Sequence, residues 1–313
     1  MQPFLLVIGS TNTDMVIKTE HLPAPGETIL GGNFFMNAGG KGANQAVAAK
    51  RLGADVVFIA KTGNDIFGRQ SLQSFKEEGI NTDYMCIDPD NPSGVALINI
   101  DSKGENCIAV ASGANATLGV DDLKNTETAI KSASFILIQL EIPLATVEYI
   151  ATVAKLHGTK IILNPAPACE LPADLFKNIS VITPNKKEAE MLSGITISDM
   201  KSVKEAARII KAKGVDTVII TLGAEGAFLY NDVTEEMIAA PEVTAVDTTA
   251  AGDVFNGALS VALSENVSIK DAVNFACHAA ALSVTKFGAQ ASAPKRNQVD
   301  LFLSLQKEKT HVA

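Results

Sequence analysis

Short apolar runs that alternate with amphipathic, helix-like segments constrain the fold of this chain more than any other feature. Such runs are typical of strands buried on both faces, and their alternation with helical patterns predicts βαβ units in a mostly parallel sheet. The buried-strand runs are Phe4–Ile8, Val56–Ala60, Phe135–Gln139, Lys160–Asn164, Val181–Thr183 and Thr217–Thr221. The helical patterns are Arg69–Glu78, Leu144–His157, Lys186–Leu192, Val203–Lys213, Val254–Leu263, Ile269–Lys286 and Asn297–Gln306. We therefore predict an α/β fold with a mostly parallel central sheet and helices on both faces.

Two stretches interrupt this alternation. Residues 14–35 and 94–111 alternate polar and apolar side chains around turn signals at Pro23–Gly26 and Ser102–Gly104. The pattern predicts short antiparallel strands set into the α/β body, either as a small separate sheet or as edge hairpins. We expect residues 14–36 and 94–111 to form this separate β unit, and residues 1–13, 37–93 and 112–313 to form the α/β domain.

Composition excludes several classes of function. The chain has 313 residues and 47% hydrophobic content, enough for one large core, and no apolar run is long enough to span a membrane. A net charge of −9 without a Lys/Arg-rich run disfavours a nucleic-acid partner. The four cysteines lie far apart without a CxxC motif, and no cleavable signal precedes the first strand, so we expect free thiols in the cytoplasm.

The segment Asp247–Asp253 joins a β-like run, Val243–Val246, to a helical pattern. The first N–H groups of a helix have no internal partner, so Ala250–Gly252 can present donors to an anion. A carboxylate in the first turn, Asp253, is placed to take a proton from a hydroxyl while a phosphate group approaches. Ordinary capping of a helix N-terminus is the alternative interpretation.

A Gly-rich segment, Asn37–Ala46, leads into an Ala-rich helical pattern. Its glycines allow a small polar ligand to lie against the main chain, while Lys41 offers a positive charge and Asn44 an amide. The segment matches neither the GxxxxGK[ST] nor the GxGxxG pattern.

A polar cluster, Gly9–Asp14, follows the first strand, where α/β sheets place ligand contacts. Asp14 can accept hydrogen bonds from sugar hydroxyls. A lone Asp after a strand is otherwise a turn residue.

Together these segments resemble the ribokinase family of sugar kinases over nearly the whole chain. The order and spacing of the following motifs carry the resemblance: Gly9–Asp14, Gly39–Ala46, Gln139–Glu141, Asn164–Pro167, Thr183–Asn185 with Glu188, Thr221–Gly223 and Asp247–Asp253. The resemblance implies a ribokinase-like fold and ATP-dependent phosphorylation of the O5 hydroxyl of D-ribose, giving ribose 5-phosphate and ADP. It also implies that Asp253 is the base and that Ala250, Ala251 and Gly252 form an anion hole. Many family members carry Gly where Ala250 stands, but Ala is common among ribokinases.

The resemblance further implies which residues hold the ligands. The sugar would be bound by Asn12, Asp14, Gly40, Lys41, Asn44, Glu141 and Asp253. The nucleotide would contact Asn185, Thr221, Gly223, Gly226, Gly252 and Cys277. Cys277 and His278 share a helix that lines the adenine pocket in the family, and a core position is the favoured alternative for them.

Two metal sites are implied as well. Asn185 and Glu188 share one helix face and would bind the nucleotide's Mg²⁺ through water, although their spacing alone favours a helix cap with a capping box. The implied K⁺ site comprises Asp247, Thr249, Ser283, Lys286, Gly288 and Ser292. The alternative at these positions is a loop packed without an ion.

Partners and alternative functions follow from the same comparison. The resemblance implies that residues 14–36 and 94–111 are a β-sheet lid over the sugar and that the α/β domain is catalytic and binds the nucleotide. It also implies a homodimer in which a second lid covers the exposed edges and apolar face of the first. Within the sugar kinases, deoxyribose, fructose or a nucleoside remains an alternative substrate, since one hydroxyl separates ribose from deoxyribose. A sugar-binding regulator without catalysis is the alternative from another class. A dinucleotide-binding dehydrogenase is disfavoured because no Gly-rich fingerprint follows the first strand.

Overall fold

The computed structural model describes residues 4–312, with side chains up to residue 306. The strands are β1 Leu5–Ile8, β2 Asn12–Lys18, β3 Asn33–Gly39, β4 Val56–Ile59, β5 Lys61–Gly63, β6 Cys86–Asp88, β7 Gly94–Ile100, β8 Asn106–Ala111, β9 Phe135–Ile138, β10 Lys160–Leu163, β11 Val181–Ile182, β12 Thr217–Thr221, β13 Gly226–Tyr230 and β14 Glu235–Ala239. The helices are α1 Lys41–Arg51, α2 Ile66–Glu77, α3 Glu127–Ser132, α4 Leu144–His157, α5 Ala173–Phe176, α6 Lys186–Ser193, α7 Met200–Ala212, α8 Ala251–Ser264, α9 Ile269–Ser283 and α10 Arg296–Val312. No helix in this described range is long and apolar enough to cross a bilayer.

The central sheet has eight strands in the order β14-β13-β12-β11-β10-β9-β1-β4. The strands from β12 to β4 in that order are all parallel to their neighbours, whereas β13 and β14 form an antiparallel edge. After β1 the chain continues to β4 on one side and later to β9 on the other, so β1 is a switch point of the topology. The predicted mostly parallel sheet is confirmed, and the β13–β14 hairpin is an addition that the sequence pattern did not predict.

Helices cover both faces of the sheet because successive side chains of a strand point to opposite sides. In β1, Leu5 and Val7 pack into a core with α1, α8 and α9. Leu6 and Ile8 pack into a second core with α4, α6 and α7. Each strand and helix predicted from the alternating pattern is present, with small shifts at the ends and a longer α10.

A second sheet has the order β3-β2-β7-β8 and forms the lid sheet. Its two outer pairings are antiparallel, as predicted. The central pairing, between β2 of one hairpin and β7 of the other, is parallel. The lid strands begin and end inside the predicted ligand segments: Asp14 lies in β2, opposite Asn37 in β3.

The β-like run Val243–Val246 is not a strand, so this prediction was wrong. The Val246 and Asp247 N–H groups both donate to the carbonyl of Val284, at 2.7 and 3.1 Å, in the loop after α9. These two bonds go to a helix end and not to a strand, so within residues 4–312 this β-branched segment does not join a sheet.

Candidate active site

The candidate active site lies where several loops meet at the carboxyl edge of the central sheet. The loops after β9, β10 and β11 begin with the polar residues Gln139, Asn164 and Thr183. Ser10 follows β1 by two residues, and β12 itself ends at Thr221. Because parallel strands end at the same edge, these side chains converge beside the lid sheet and the N-terminus of α8.

Asp253 is buried in the first turn of α8. Its carboxylate accepts hydrogen bonds from Asn44 Nδ2 at 2.9 Å and from Gln45 Nε2 at 3.0 Å. Burial raises the pKa of Asp253, while the Lys41 charge and the two amide bonds act in the opposite direction. Asp253 is therefore a carboxylate held in place by neutral donors, with an elevated proton affinity that suits a base.

The turn before Asp253 presents backbone N–H groups. Ala250, the N-cap of α8, has a left-handed backbone with φ 59°, which is uncommon for a residue with a side chain. The Ala251 N–H donates to the Thr248 carbonyl at 3.3 Å. The N–H groups of Ala250 and Gly252 make no hydrogen bond in residues 4–312. The free donors of the expected anion hole are thus two rather than three, since a turn bond occupies the Ala251 N–H.

A cluster of charges surrounds the space in front of Asp253. Burial raises the pKa of Asp14 to about 6, and the neighbouring charges of Glu141 and Asp253 add to the rise. Glu141 accepts hydrogen bonds from Ser10 Oγ and from the Lys41 N–H at 2.9 Å. Although burial opposes it, the charges of Asp253, Glu141 and Glu188 raise the pKa of Lys41. One ammonium therefore lies among carboxylates, and a polyhydroxyl ligand would find many acceptors there.

Gly40 allows the start of α1 to approach the loop after β1. Its φ is 88°, and a Cβ at this position would lie 2.8 Å from both Asn12 N and Thr11 Cα. Nearby, Asn44 Oδ1 is buried and has no hydrogen-bond partner among the described residues. Asn12 Oδ1 already accepts from Asn115 Nδ2 at 2.8 Å, which leaves the Asn12 amide N–H groups for a ligand.

The predicted Mg²⁺ residues form a capping box at the start of α6. Glu188 accepts from the Asn185 main-chain N–H at 2.8 Å and from Asn185 Nδ2 at 2.7 Å, and burial raises the pKa of Glu188. The Thr221 N–H donates to the Pro184 carbonyl at 2.9 Å, which brings the β12 turn beside Asn185. The capping box that the spacing of Asn185 and Glu188 favoured is therefore present, and it lies next to the turn proposed to bind the nucleotide.

Cys277 does not join this group. It is 4% exposed and packs in the core formed by α1, α8 and α9, and burial raises the pKa of its thiol to about 12. Cys277 therefore takes the core position that was the favoured alternative to a nucleotide contact. Gly223 lies on an exposed turn and Gly226 begins β13, both beyond the end of β12.

The two halves of the expected K⁺ site are in contact. Asp247 accepts hydrogen bonds from the Thr249 N–H and the Gly288 N–H, both at 2.9 Å. Although partial burial opposes ionisation, these bonds lower the pKa of Asp247. Ser283 and Ser292 are buried near this loop, and their hydroxyls donate to carbonyls of their own segments. The Lys286 side chain is exposed, so only its main chain is available for an ion.

Several residues that organise the site were not predicted. Gln45 contacts Asp253 directly, Gln139 and Asn164 contact Gln45, and Asn115 bonds to both the N–H and the carbonyl of Thr11. Gln45, Gln139 and Asn164 lie inside the motifs that carry the family resemblance, which was an available signal. Nothing in the local sequence distinguishes Asn115.

The comparisons with known proteins agree with this geometry. The model of the pfkB family of carbohydrate kinases matches residues 2–296. A ribokinase from Haemophilus influenzae is 45% identical over 303 residues, covering 97% of this chain and 99% of that protein. A deoxyribokinase from Salmonella typhi is 36% identical over 304 residues, covering 97% and 99%. The structure of Arabidopsis thaliana ribokinase complexed with ribose and ATP matches with a TM-score of 0.90 at 31% identity, covering 97% of this chain and 99% of that one. The chain therefore belongs to the pfkB family of carbohydrate kinases.

Proposed function

We propose that this protein transfers the γ-phosphoryl group of ATP to the O5 hydroxyl of D-ribose, giving ribose 5-phosphate and ADP. The observation that carries the proposal is the pairing of buried Asp253 with the unpartnered N–H groups of Ala250 and Gly252. A base beside an anion cradle is what phosphoryl transfer to a hydroxyl needs. The Haemophilus and Arabidopsis relatives, both ribokinases, support ribose as the sugar.

In this proposal the sugar lies between the lid sheet and α8. Its hydroxyls bind to Asn12, Asp14, Gly40, Lys41, Asn44 and Glu141. Asp253 takes the proton of the O5 hydroxyl as that oxygen attacks the γ-phosphorus of ATP, and the bond from the γ-phosphorus to ADP breaks. The N–H groups of Ala250 and Gly252 stabilise negative charge on the transferring group. Positioning and electrostatics supply most of the rate in such reactions.

The nucleotide would lie across the turns after β11 and β12, against Asn185, Thr221, Gly223 and Gly226. Asn185 and Glu188 offer oxygen atoms, but their side chains already bond to each other. They therefore suit a Mg²⁺ ion that keeps its waters and that they contact through those waters. When bound with ATP, Mg²⁺ supplies charge neutralisation at the phosphates.

A monovalent cation would be held by the loop pair containing Asp247, Thr249, Ser283, Lys286, Gly288 and Ser292. The lowered pKa of Asp247 and its bond to Gly288 support this site, since an ionised carboxylate joins the two loops. Bound K⁺ would supply positive charge that shapes the anion-hole turn. Rates in K⁺ are expected to exceed those in Na⁺ or a bulky organic cation at equal ionic strength. Equal rates in all three would rule the site out.

The lid, residues 14–36 and 94–111, is proposed to form a homodimer. Phe34 and Leu97 are 61% and 53% exposed, and their register places them with Met36 on the face of the lid sheet opposite Asp14. Burying this apolar face in a second copy would remove it from water. Light scattering is expected to give a dimer, and Leu97→Glu a monomer.

We also propose a cytoplasmic location, for which the free thiols of Cys86, Cys107 and Cys169 are suited.

Deoxyribose is the second candidate substrate, because the Salmonella deoxyribokinase is also similar over nearly its whole length. A coupled ADP-release assay over ribose, deoxyribose, fructose and nucleosides tests the function. Ribose is expected to give the highest kcat/KM. A higher kcat/KM for deoxyribose would make deoxyribose the preferred substrate. Ribose binding by calorimetry without ADP release would favour a non-catalytic regulator.

A further inference from the structure

Two buried glutamines lie next to the proposed base. Gln45 and Gln139 are both fully buried. Gln139 Nε2 donates to Gln45 Oε1, and Gln45 Nε2 donates to Asp253 Oδ1 and to Asn164 Oδ1, both at 3.0 Å. We call Gln45 and Gln139 the amide pair.

The chemistry of the partners fixes the orientation of both amides. An ionised Asp253 only accepts hydrogen bonds, so the Gln45 group facing it must be the donor nitrogen. Gln45 Oε1 then faces Gln139, which must donate in turn. A Cβ on Gly9 would lie 2.0 Å from Gln139 Oε1, so only glycine leaves room for the Gln139 amide in this orientation. The Gln139 amide is thus confined, and its own Oε1 has no partner in the described part of the chain.

The amide pair differs from Asn44, the other donor to Asp253. Asn44 Oδ1 is buried and has no hydrogen-bond partner in residues 4–312, so it is available to a ligand. Gln45 is fully buried, and its amide groups are occupied by Asn164, Gln139 and Asp253. When a sugar enters, contacts at Asn44 change, whereas the Gln45 bond is out of the sugar's reach.

We propose that Gln45 is a positioning residue that holds Asp253 ionised and correctly oriented for proton transfer, and that Gln139 fixes the direction of the Gln45 amide. The inference rests on the proposed role of Asp253 as base. A hydrogen bond that is donated to a carboxylate favours its ionised form, so losing it makes the base harder to deprotonate. Neither glutamine touches substrate, and both act through Asp253.

The variant Gln45→Leu tests the proposal because it keeps side-chain bulk and removes the donor. The acid limb of the pH profile of kcat at saturating ribose is expected to move upward by about one pH unit, as for one lost hydrogen bond to a charged group. The profile of kcat is used because protonation of Asp14 affects ribose binding and therefore kcat/KM. The kcat is expected to fall while the ribose KM stays near the parent value. A carboxyl ¹³C NMR titration, with the Asp253 signal assigned by its loss in Asp253→Asn, should show the same upward shift without any turnover.

Val47→Ala is the matched control, because Val47 is a buried core residue of the same helix, α1, and lacks any polar contact with Asp253. It is expected to lower stability and leave the acid limb in place. A folded Gln45→Leu variant with an unmoved acid limb and an unmoved Asp253 titration would overturn the proposal. If that variant does not fold, Gln139→Leu decides by the same two measurements: an upward shift supports the proposal, and no shift overturns it. Failure of the proposed function shows differently, as a parent protein without ribose-dependent ADP release.

Discussion

Two groups of acidic residues in this protein have opposite electrostatic properties. The site cluster, Asp14, Glu141 and Asp253, borders the space where the substrate is proposed to bind. The lid-base cluster, Asp65 and Asp88, lies where strands β7 and β8 leave and rejoin the α/β body. The pKa values of Asp14 and Asp253 are raised, whereas those of Asp65 and Asp88 are lowered.

The lid-base cluster is saturated with hydrogen-bond donors. The Thr117 hydroxyl and the N–H groups of Asp90 and Asn91 donate to Asp88 and lower its pKa. Asp65 caps α2 by accepting from the Gly68 N–H at 2.8 Å, and it accepts from the Ser93 N–H at 2.7 Å. These carboxylates stabilise the fold because the protein supplies every donor that they need.

Relative to how deeply they are buried, the carboxylates of the site cluster accept few hydrogen bonds. The carboxylate of Asp14 accepts no hydrogen bond among the described residues, and burial and neighbouring charges raise its pKa to about 6. The missing donors are those that sugar hydroxyls would supply. The comparison teaches that donor supply, and not burial alone, separates carboxylates that hold the fold from carboxylates free to act on a ligand.

The largest expected effect is that of Asp253→Asn on turnover. The change keeps size and shape but removes the proton acceptor, so kcat is expected to fall by ~10²–10⁴-fold. Calorimetry should show ribose and ATP binding retained, since the anion-hole donors are main-chain groups. A folded variant that binds both ligands and turns over at the parent rate would return Asp253 to a plain capping role.

Asp14→Ala is expected to weaken ribose binding by roughly 10- to 100-fold, since each hydrogen bond to a charged group is worth about 1.5–3 kcal/mol. Nucleotide affinity should stay near the parent value, because ATP occupies the other end of the site. In the parent, ribose affinity is expected to fall as the pH drops through about 6, where Asp14 becomes protonated. Calorimetry at several pH values checks both points, and the variant should lack this pH dependence.

The fold was predictable from sequence because its signals are local. Buried-strand runs such as Phe135–Gln139 and helical patterns such as Leu144–His157 each carry their periodicity within one element. The Val243–Val246 run failed for the same reason: its residues favour a strand, but a strand forms only where a neighbour exists. The parallel β2–β7 pairing is likewise a long-range property that neither hairpin encodes alone.

The motifs drew attention to several residues of the candidate site but did not reveal the contacts between them. Asp14, Asn44 and Asp253 stand at the ends of elements, where ligand contacts are common. Gln45 sits one residue beyond Asn44 in the same helix, and only the folded geometry brings it to Asp253 at 3.0 Å. The signs of the pKa shifts were also out of reach, because they depend on donors from distant segments.

Asp14→Asn tests the difference between the two clusters by its effect on the stability of the folded protein. The folded-state pKa of Asp14, about 6, lies above its ordinary value of 3.8, so the ionised form destabilises the folded protein as the pH rises through about 6. Asn resembles the protonated form. The variant is expected to be more stable than the parent by about 2 kcal/mol above pH 6, after allowance for solvent screening, and equal to it below pH 4. Urea unfolding at pH 4 and pH 8 measures this difference, and an equal effect at both pH values would contradict it.

Asp65→Ala is expected to have the smallest effect. It lowers the stability of the folded protein, whereas Asp14→Asn raises it. Loss of an N-cap costs about 1 kcal/mol of unfolding free energy at neutral pH. Although burial opposes ionisation, the hydrogen bonds from Gly68 and Ser93 together lower the folded pKa of Asp65. Its contribution is therefore present above its ordinary pKa and is lost as the pH falls through the lowered value.

Asp199→Ala is the matched control for Asp65→Ala. Asp199 caps α7 and bonds to Ser202 within the same helix, whereas Asp65 also holds Ser93 at the start of the lid strand β7. Urea unfolding at pH 7 should therefore show a larger loss for Asp65→Ala than for Asp199→Ala, with turnover near the parent value in both. A gain in stability on removing Asp65, like that expected for Asp14→Asn, would show that donor supply does not distinguish the two clusters.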